Sequence, residues 1–235
     1  MNSCLRRGVL ILCGAAFCVL AATAWALRQY LPALAPGDPA AETAVVVLDP
    51  GHGGEDGGAV SPDGTPESGI NLAVAQKTGA LLGFFGVRTV YTRQTPEAVG
   101  DPDLPTVRAR KASDIRRRVE TANAVPGGAL ISIHQNSLPS SPGTHGAQVF
   151  WNRQSGAEDL AKAIQEALNR GINQGNEKTA RPISPDIYLM KHAEIPAALV
   201  ECGFLSNAAE TERLRQDAYQ LELAAAIAAG YLNHS

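Results

Sequence analysis

"VVVLDPGHGGEDGG", Val45–Gly58, is the stretch whose reading decides the fold. A β-branched apolar run is the mark of a buried strand, and this one stops at Asp49-Pro50. It then opens into five glycines set around His52 and two acids, Glu55 and Asp56. A loop of this kind directly after a strand is a phosphate cradle, a turn that needs glycine, or a place where His52 is held against something. A Walker loop requires G-x-x-x-x-G-K-[ST], and no Lys or Thr directly follows these glycines. The dinucleotide fingerprint fails too, because from Gly51 the spacing is G-x-G-x-x-x-G and Pro50 and His52 intrude.

Working outward, residues 67–86 carry Ile70, Val74, Leu81 and Phe85 at helical spacing and stop at Gly86, a C′ glycine. Residues 87–92 read as a second strand, and 93–112 as a polar loop with Pro96, Pro102 and Pro105. A short helix is expected over 113–125, and a third strand over 128–134 after a Pro-Gly-Gly turn. Residues 146–151 read as a strand and 155–172 as a helix in which Ser155 and Glu158 match a capping box. Residues 186–190 and 196–203 are strand-like, divided by a break at Pro196. Asn207 is an N-cap candidate with Glu210 three on, and 217–234 make a terminal helix. Strands alternating with helices predict a single α/β domain over 44–235, with a mostly parallel twisted sheet of about six strands flanked by helices.

The first 43 residues differ in kind. Arg6 and Arg7 precede an apolar run from Gly8 to Leu27 without a charge, the layout of an export signal or signal anchor over residues 1–27. Ala24-Trp25-Ala26 supplies a cleavage pattern, yet about 20 apolar residues also just span a bilayer, so residues 8–27 suit a membrane anchor as well. Residues 28–43, rich in Pro and Ala, read as a tether. The expectation is export: an extracytoplasmic domain. Of four cysteines only Cys202 lies beyond this segment, so the exported domain must be held by its core or by a metal rather than a disulfide. Without Arg6 and Arg7 the chain has 18 bases against 23 acids, a net of −5, which argues against nucleic acid as a partner.

Ligands of an open parallel sheet bind outside the carboxyl ends of its strands. His52 stands just past the first strand and Glu67 begins the next helix, while His134 ends the third strand and Glu201 the last apolar one. Two histidines and a carboxylate are a common zinc set for hydrolysis, and a further carboxylate can serve as base. Each residue also has an ordinary reading. His52 suits an exposed loop, His134 a hydrogen-bonded core histidine, Glu67 a dipole partner in a first helical turn. Glu201, an acid closing the apolar run "PAALVE", is expensive to bury without a task. His145, His192 and His234 read as surface residues, Cys202 as a small buried hydrophobe, and Arg116, Arg117 and Arg118 as a solvated helix face from which one could reach an anionic substrate. Asp49 is either a partner for a ligand histidine or a strand-end turn residue. No G-x-S-x-G setting for a serine nucleophile is present.

"LDPGHGGEDGGA", "ESGINLAVA", "ISIHQNS" and "PAALVECGFLSN", in that order over about Val45–Leu232, resemble the type 3 N-acetylmuramoyl-L-alanine amidases. The resemblance implies a zinc hydrolase of amidase/carboxypeptidase-like architecture that cuts the amide between the lactyl group of muramic acid and L-alanine in peptidoglycan. It implies zinc ligation by His52, Glu67 and His134 and a catalytic acid/base at Glu201. "RKASDIRRRVETAN", "SGAEDLAKAIQEALNR", "GNEKTARPI" and "DIYLMKHAEIPAALVECGFLSN" look more narrowly like the spore-cortex, germination-specific (CwlD-like) branch. That branch strips stem peptides during sporulation, so that a muramic acid deacetylase can act and the muramic δ-lactam can form. Cys202 stands where the branch more often has Val. Three alternatives stay open beside it: a vegetative autolysin of the same chemistry, a zinc exopeptidase, and a wall-binding module that has lost catalysis.

Overall fold

In the computed structural model β1, Val45–Pro50, is the strand the opening run predicts, with Val46, Val47 and Leu48 fully buried. The structure describes residues 44–234; the expectations for 1–27 and 28–43 lie outside the described residues. Helix α1 (Glu67–Phe84) follows, then β2 (Arg88–Tyr91), α2 (Val107–Asn123), β3 (Ala129–Asn136), β4 (Gln148–Trp151) and α3 (Ala157–Gly171). The chain closes with β5 (Arg181–Pro182), α4 (Tyr188–His192), β6 (Ala197–Phe204), α5 (Ala208–Leu214) and α6 (Asp217–His234). The six strands make one sheet in the order β2-β1-β3-β6-β4-β5. Contacts β2·β1, β1·β3 and β3·β6 are parallel, whereas β4 runs antiparallel to β6 and carries the two-residue β5 parallel to itself. The mostly parallel α/β sheet is therefore as the strand–helix alternation predicts. Among the described residues no helix is long and apolar enough to cross a membrane.

Alternation along the central strands divides the core. Val46, Leu48, Ile131, Ile133, Ala198, Val200 and Cys202 face α1, α3 and α6. Val47, Leu130, Ala197 and Leu199 face the other way, toward Ala122 of α2 and Leu189, Met190 and Ala193 around α4. Both faces of the parallel part are covered, which is why these strands read as unbroken apolar runs. At about 25 cal/mol per Å2 of apolar surface, each fully buried Leu or Ile contributes about 2 kcal/mol before conformational entropy is charged.

Four local expectations are corrected. Residues 186–190 are not a strand: Tyr188–His192 is helical, and Leu189, Met190 and Ala193 bury together at helical spacing while Ile187 and Tyr188 stay exposed. Helix α2 starts at Val107 rather than 113, because Thr106 caps it by accepting the Ala109 N–H at 3.1 Å. Ser155 caps nothing; α3 begins after Gly156, whose φ of 82° suits glycine, and Glu158 and Asp159 face the dipole in the first turn. β3 and β6 also run past His134 and Glu201, to Asn136 and Phe204. Asn207, by contrast, is the N-cap expected, accepting from Glu210 N at 3.1 Å. Gly86 is the left-handed C′ glycine that ends α1.

Candidate functional site

His134 and Glu201 are Cα partners across β3 and β6, and the register shifts between His134 and Asn136 immediately beyond them. A local ladder irregularity of this kind bends a strand and re-aims its side chains. The pair sits at the carboxyl rim of the parallel strands, and the loop after β1 folds over it. His52 adopts a positive φ of 61° there, the only non-glycine residue among those described to do so. Its Nε2 lies 3.0 Å from Glu67 Oε1, and His134 Nδ1 lies 3.6 Å from Glu67 Oε2. The two imidazoles stand edge to face with centroids 5.0 Å apart. One ligand atom from each of His52, Glu67 and His134 falls within 4.8 Å of the others, so the three could hold one metal ion.

The glycines of the loop are explained by what they touch. A Cβ on Gly51 would lie 2.1 Å from Cε1 of His134, and one on Gly58, whose φ is +70°, would lie 2.2 Å from Oε1 of Glu67. The loop backbone thus packs directly against two of the three clustered side chains, and only glycine leaves room for them.

Two members of the cluster, His52 and Glu67, are oriented by neighbours. His52 Nδ1 pairs with Asp56 Oδ2 at 2.9 Å, which leaves Nε2 directed at Glu67, and Asp56 in turn meets Lys111 Nζ at 2.7 Å. Glu67 is almost wholly buried, and both its oxygens are held: Oε1 accepts from Ala59 N at 2.8 Å, Oε2 from Gln135 N at 2.7 Å and from Asn71 Nδ2 at 3.1 Å. Burial opposes the Glu67 charge, but the adjoining His134 and His52 outweigh it and hold the carboxyl well below the usual carboxylate range. Burial would likewise lower the His52 imidazole, yet Asp56 and Glu67 together raise it to about 9. The Glu67 and Asp56 carboxylates beside the imidazole favour positive charge at this point.

Glu201 behaves in the opposite way. Burial pushes its carboxyl up to about 7, with His134 and His52 pulling down and Glu67 pushing further up. Its Oε2 is one of three buried side-chain atoms among the described residues without a hydrogen-bond partner. A carboxyl poised near neutrality, beside an imidazole pair and facing an open cleft of about 390 Å3, is suited to take up and return a proton. The cleft is walled by Lys111 and Ile115 of α2 and by Ile187, Tyr188 and Leu189. Two nitrogen donors, one carboxylate and an open side match the donor chemistry of a catalytic zinc site.

The remaining sequence candidates separate. Cys202 is fully buried on the opposite face of β6 and its thiol is pushed up by that burial, so it stands apart from the site as a small apolar residue. His145 and His192 are exposed and His234 is partly buried at the end of α6. Arg116 and Arg117 are solvated as expected, but Arg118 is not: it is 1% exposed, bonded to Asp49 Oδ1 at 2.8 Å and Asp114 Oδ2 at 2.6 Å. Asp49 therefore partners Arg118, Thr92 and Ser132 rather than a ligand histidine, and the residue that orients His52 is Asp56. Asp56, Asn71 and Arg93 were not legible as site residues, and Arg118 was legible only as one of a solvated triplet from which one could reach a substrate. Of the first three only Asn71 had a signal, standing four residues from Glu67 and so on the same helix face.

A parallel α/β sheet carrying a histidine, glutamate, histidine cluster and a near-neutral carboxyl at its rim defines a hydrolase-type site able to hold a cation. The family model described as N-acetylmuramoyl-L-alanine amidase matches residues 46–233, and the chain belongs to that family, a class of hydrolases. The germination-specific N-acetylmuramoyl-L-alanine amidase of Bacillus subtilis is 34% identical over 190 residues, covering 81% of this chain and 79% of that one. Among solved structures, the CwlD amidase of Clostridioides difficile, determined in complex with the GerS lipoprotein, aligns with a TM-score of 0.78 at 33% identity, covering 82% of this chain and 98% of that one. The catalytic domain of the amidase CwlV from Bacillus (Paenibacillus) polymyxa aligns with a TM-score of 0.69 at 27% identity, over 82% and 100%.

Proposed function

We propose that this chain is a zinc-dependent amidase that hydrolyses the amide between the lactyl group of muramic acid and L-alanine in peptidoglycan. The observation that carries the reading is the pairing of the His52–Glu67–His134 cluster with Glu201 as the register partner of His134. Zinc, when held by those three residues, supplies a Lewis acid that polarises a carbonyl and acidifies a water to a pKa of ~7. Glu201 then takes the proton of the water as its oxygen adds to the lactyl carbonyl carbon. When the C–N bond breaks, Glu201 returns that proton to the alanine nitrogen, which leaves as a neutral amine. Asp56 holds the His52 ring, and the backbone N–H groups of Ala59 and Gln135 hold Glu67, so that neither must reorganise as charge develops. The products are a lactyl carboxylic acid on an intact glycan strand and a free stem peptide, and the acid then ionises, its proton passing to the released amine.

The setting we infer is spore-cortex maturation, in which removal of whole stem peptides prepares muramic acid for a deacetylase and for closure to the δ-lactam. Likeness to a germination-specific relative and to CwlD supports it. The charge-free run at residues 8–27 behind Arg6 and Arg7 supports export, with the segment as signal or membrane anchor. The test is digestion of purified cortex and of vegetative sacculi by the full-length chain, with and without chelator, with fragments identified by mass. Free stem peptides with intact glycan, released only without chelator, are expected. Cleaved glycan, or stem peptides trimmed at their free ends as by an exopeptidase while still attached to the glycan, would overturn the reading.

A further inference from the structure

His52 holds a left-handed backbone conformation that a side chain rarely adopts, within a loop whose glycines Gly53 and Gly54 also have positive φ. Such a chain has little preference of its own for this path, so something outside the loop must impose it. Three successive carbonyls show what does. Pro50 O accepts from Arg93 Nε at 2.9 Å and from Arg118 Nη1 at 2.8 Å. Gly51 O accepts from Arg93 Nη2 at 3.1 Å and from Asn71 Nδ2 at 3.2 Å. His52 O accepts from Arg118 Nη2 at 2.7 Å.

Resting on the cation site proposed above, we infer that Arg118, with Arg93, is a positioning residue whose grip on these carbonyls aims the His52 imidazole at Glu67, so that helix α2 sets the affinity of the site for its metal. Both guanidinium groups are buried, Arg118 at 1% and Arg93 at 3% exposure, and each repels the other's charge. Two apolar side chains would fill the same space without that cost but would remove the guanidinium donors from the Pro50 and His52 carbonyls and leave Gly51 O only Asn71. Arg93 Nη2 also donates to Ser68 O at 2.8 Å, which ties the loop to the first turn of α1 where Glu67 stands. Arg118 spans further: from Asp114 and Asp49, which balance its charge, to the backbone of the ligand itself. That reach depends on the planar fork of a guanidinium; the single nitrogen of a lysine cannot meet both carboxylates and the His52 carbonyl at once.

Cobalt(II) binding to the full-length chain, followed by its visible ligand-field absorption, tests this. Arg118→Lys keeps a positive charge beside Asp49 and Asp114 but loses the fork. Arg118→Met combined with Asp49→Asn removes both deeply buried charges together and keeps the test alive if the lysine variant does not fold. Leu168→Ala, in the fully buried core between α3 and the sheet, serves as a destabilised control remote from the loop. At a temperature where circular dichroism shows every variant folded, both Arg118 variants are expected to bind cobalt(II) about ten- to a hundredfold more weakly, with an altered spectrum at saturation, and Leu168→Ala to bind like the parent. Parent-like affinity and spectrum in the Arg118 variants would overturn the inference, and so would an equal loss in Leu168→Ala. A parent chain that binds no cobalt(II) would instead overturn the cation-site reading on which it rests.

Discussion

Replacing Glu201 with Gln keeps the size of the side chain and removes its ability to carry a proton between water and the leaving nitrogen. Its consequences for stability and for turnover have opposite signs. Burial raises the folded Glu201 carboxyl from its ordinary 4.5 to about 7, despite the opposing pull of His134 and His52. An acid with a raised folded pKa contributes its full stability below the unfolded value and loses it as the pH rises through the folded one. The gap between the two values corresponds to about 3 kcal/mol, an upper bound given that the side chain is not wholly shielded from solvent. Gln has no such charge to bury. Metal-free Glu201→Gln should therefore resist urea better than the metal-free parent by about 2 kcal/mol near pH 8, and the two should converge near pH 4. Turnover on cortex fragments should fall about 10²- to 10⁴-fold, the range for loss of a general acid–base, while metal content stays that of the parent. Urea melts in chelator at several pH values, together with stem-peptide release by mass, make the measurement. A variant with near-normal turnover would refute the role given to Glu201, and one no more stable than the parent at high pH would refute the account of its burial.

Three other substitutions probe the frame of the site. Gly51→Ala places a Cβ 2.1 Å from the His134 ring, so it should displace that ring, weaken cobalt(II) binding and cost about 1–3 kcal/mol in a urea melt. Asp56→Ala frees the His52 ring and should weaken cobalt(II) about ten- to a hundredfold in a titration, with little loss of global stability. Asp49→Asn leaves the buried Arg118 short of one carboxylate and should destabilise the fold by about 3–5 kcal/mol at neutral pH. Despite its burial, Asp49 is held below its ordinary pKa by Arg118, Ser132 and Thr92. Its stabilisation is thus present above the ordinary carboxylate range and lost as the pH falls through the lower folded value, and acid melts of Asp49→Asn should show a shallower decline than the parent.

The strands and the rim were legible because they rest on local rules. β-branched runs bury in a parallel sheet, and the carboxyl ends of such strands collect the ligands, which was enough to bring His52, Glu67, His134 and Glu201 into consideration together. The pattern failed where burial does not follow hydropathy. Tyr188–His192 contains the residues of a strand but buries Leu189, Met190 and Ala193 as a helix does, and α2 begins in a charged turn whose only signal is the Thr106 cap. Arg118 illustrates the limit most clearly. Its neighbours Arg116 and Arg117 are solvated, and nothing in "RRR" distinguishes the one that turns inward to meet Asp49, a partner 69 residues away. The division of labour between Asp49 and Asp56 is likewise set by the fold. Both acids flank His52, and only the path of the loop decides which of them reaches the ring.

The most direct test of the central claim is the metal itself. The full-length chain, incubated with zinc and desalted, should retain one zinc ion, and its X-ray absorption spectrum should show nitrogen and oxygen ligands from two imidazoles and a carboxylate. His52→Ala should retain none. Failure of the parent chain to hold zinc, or a sulfur ligand from any of its four cysteines, would contradict the account.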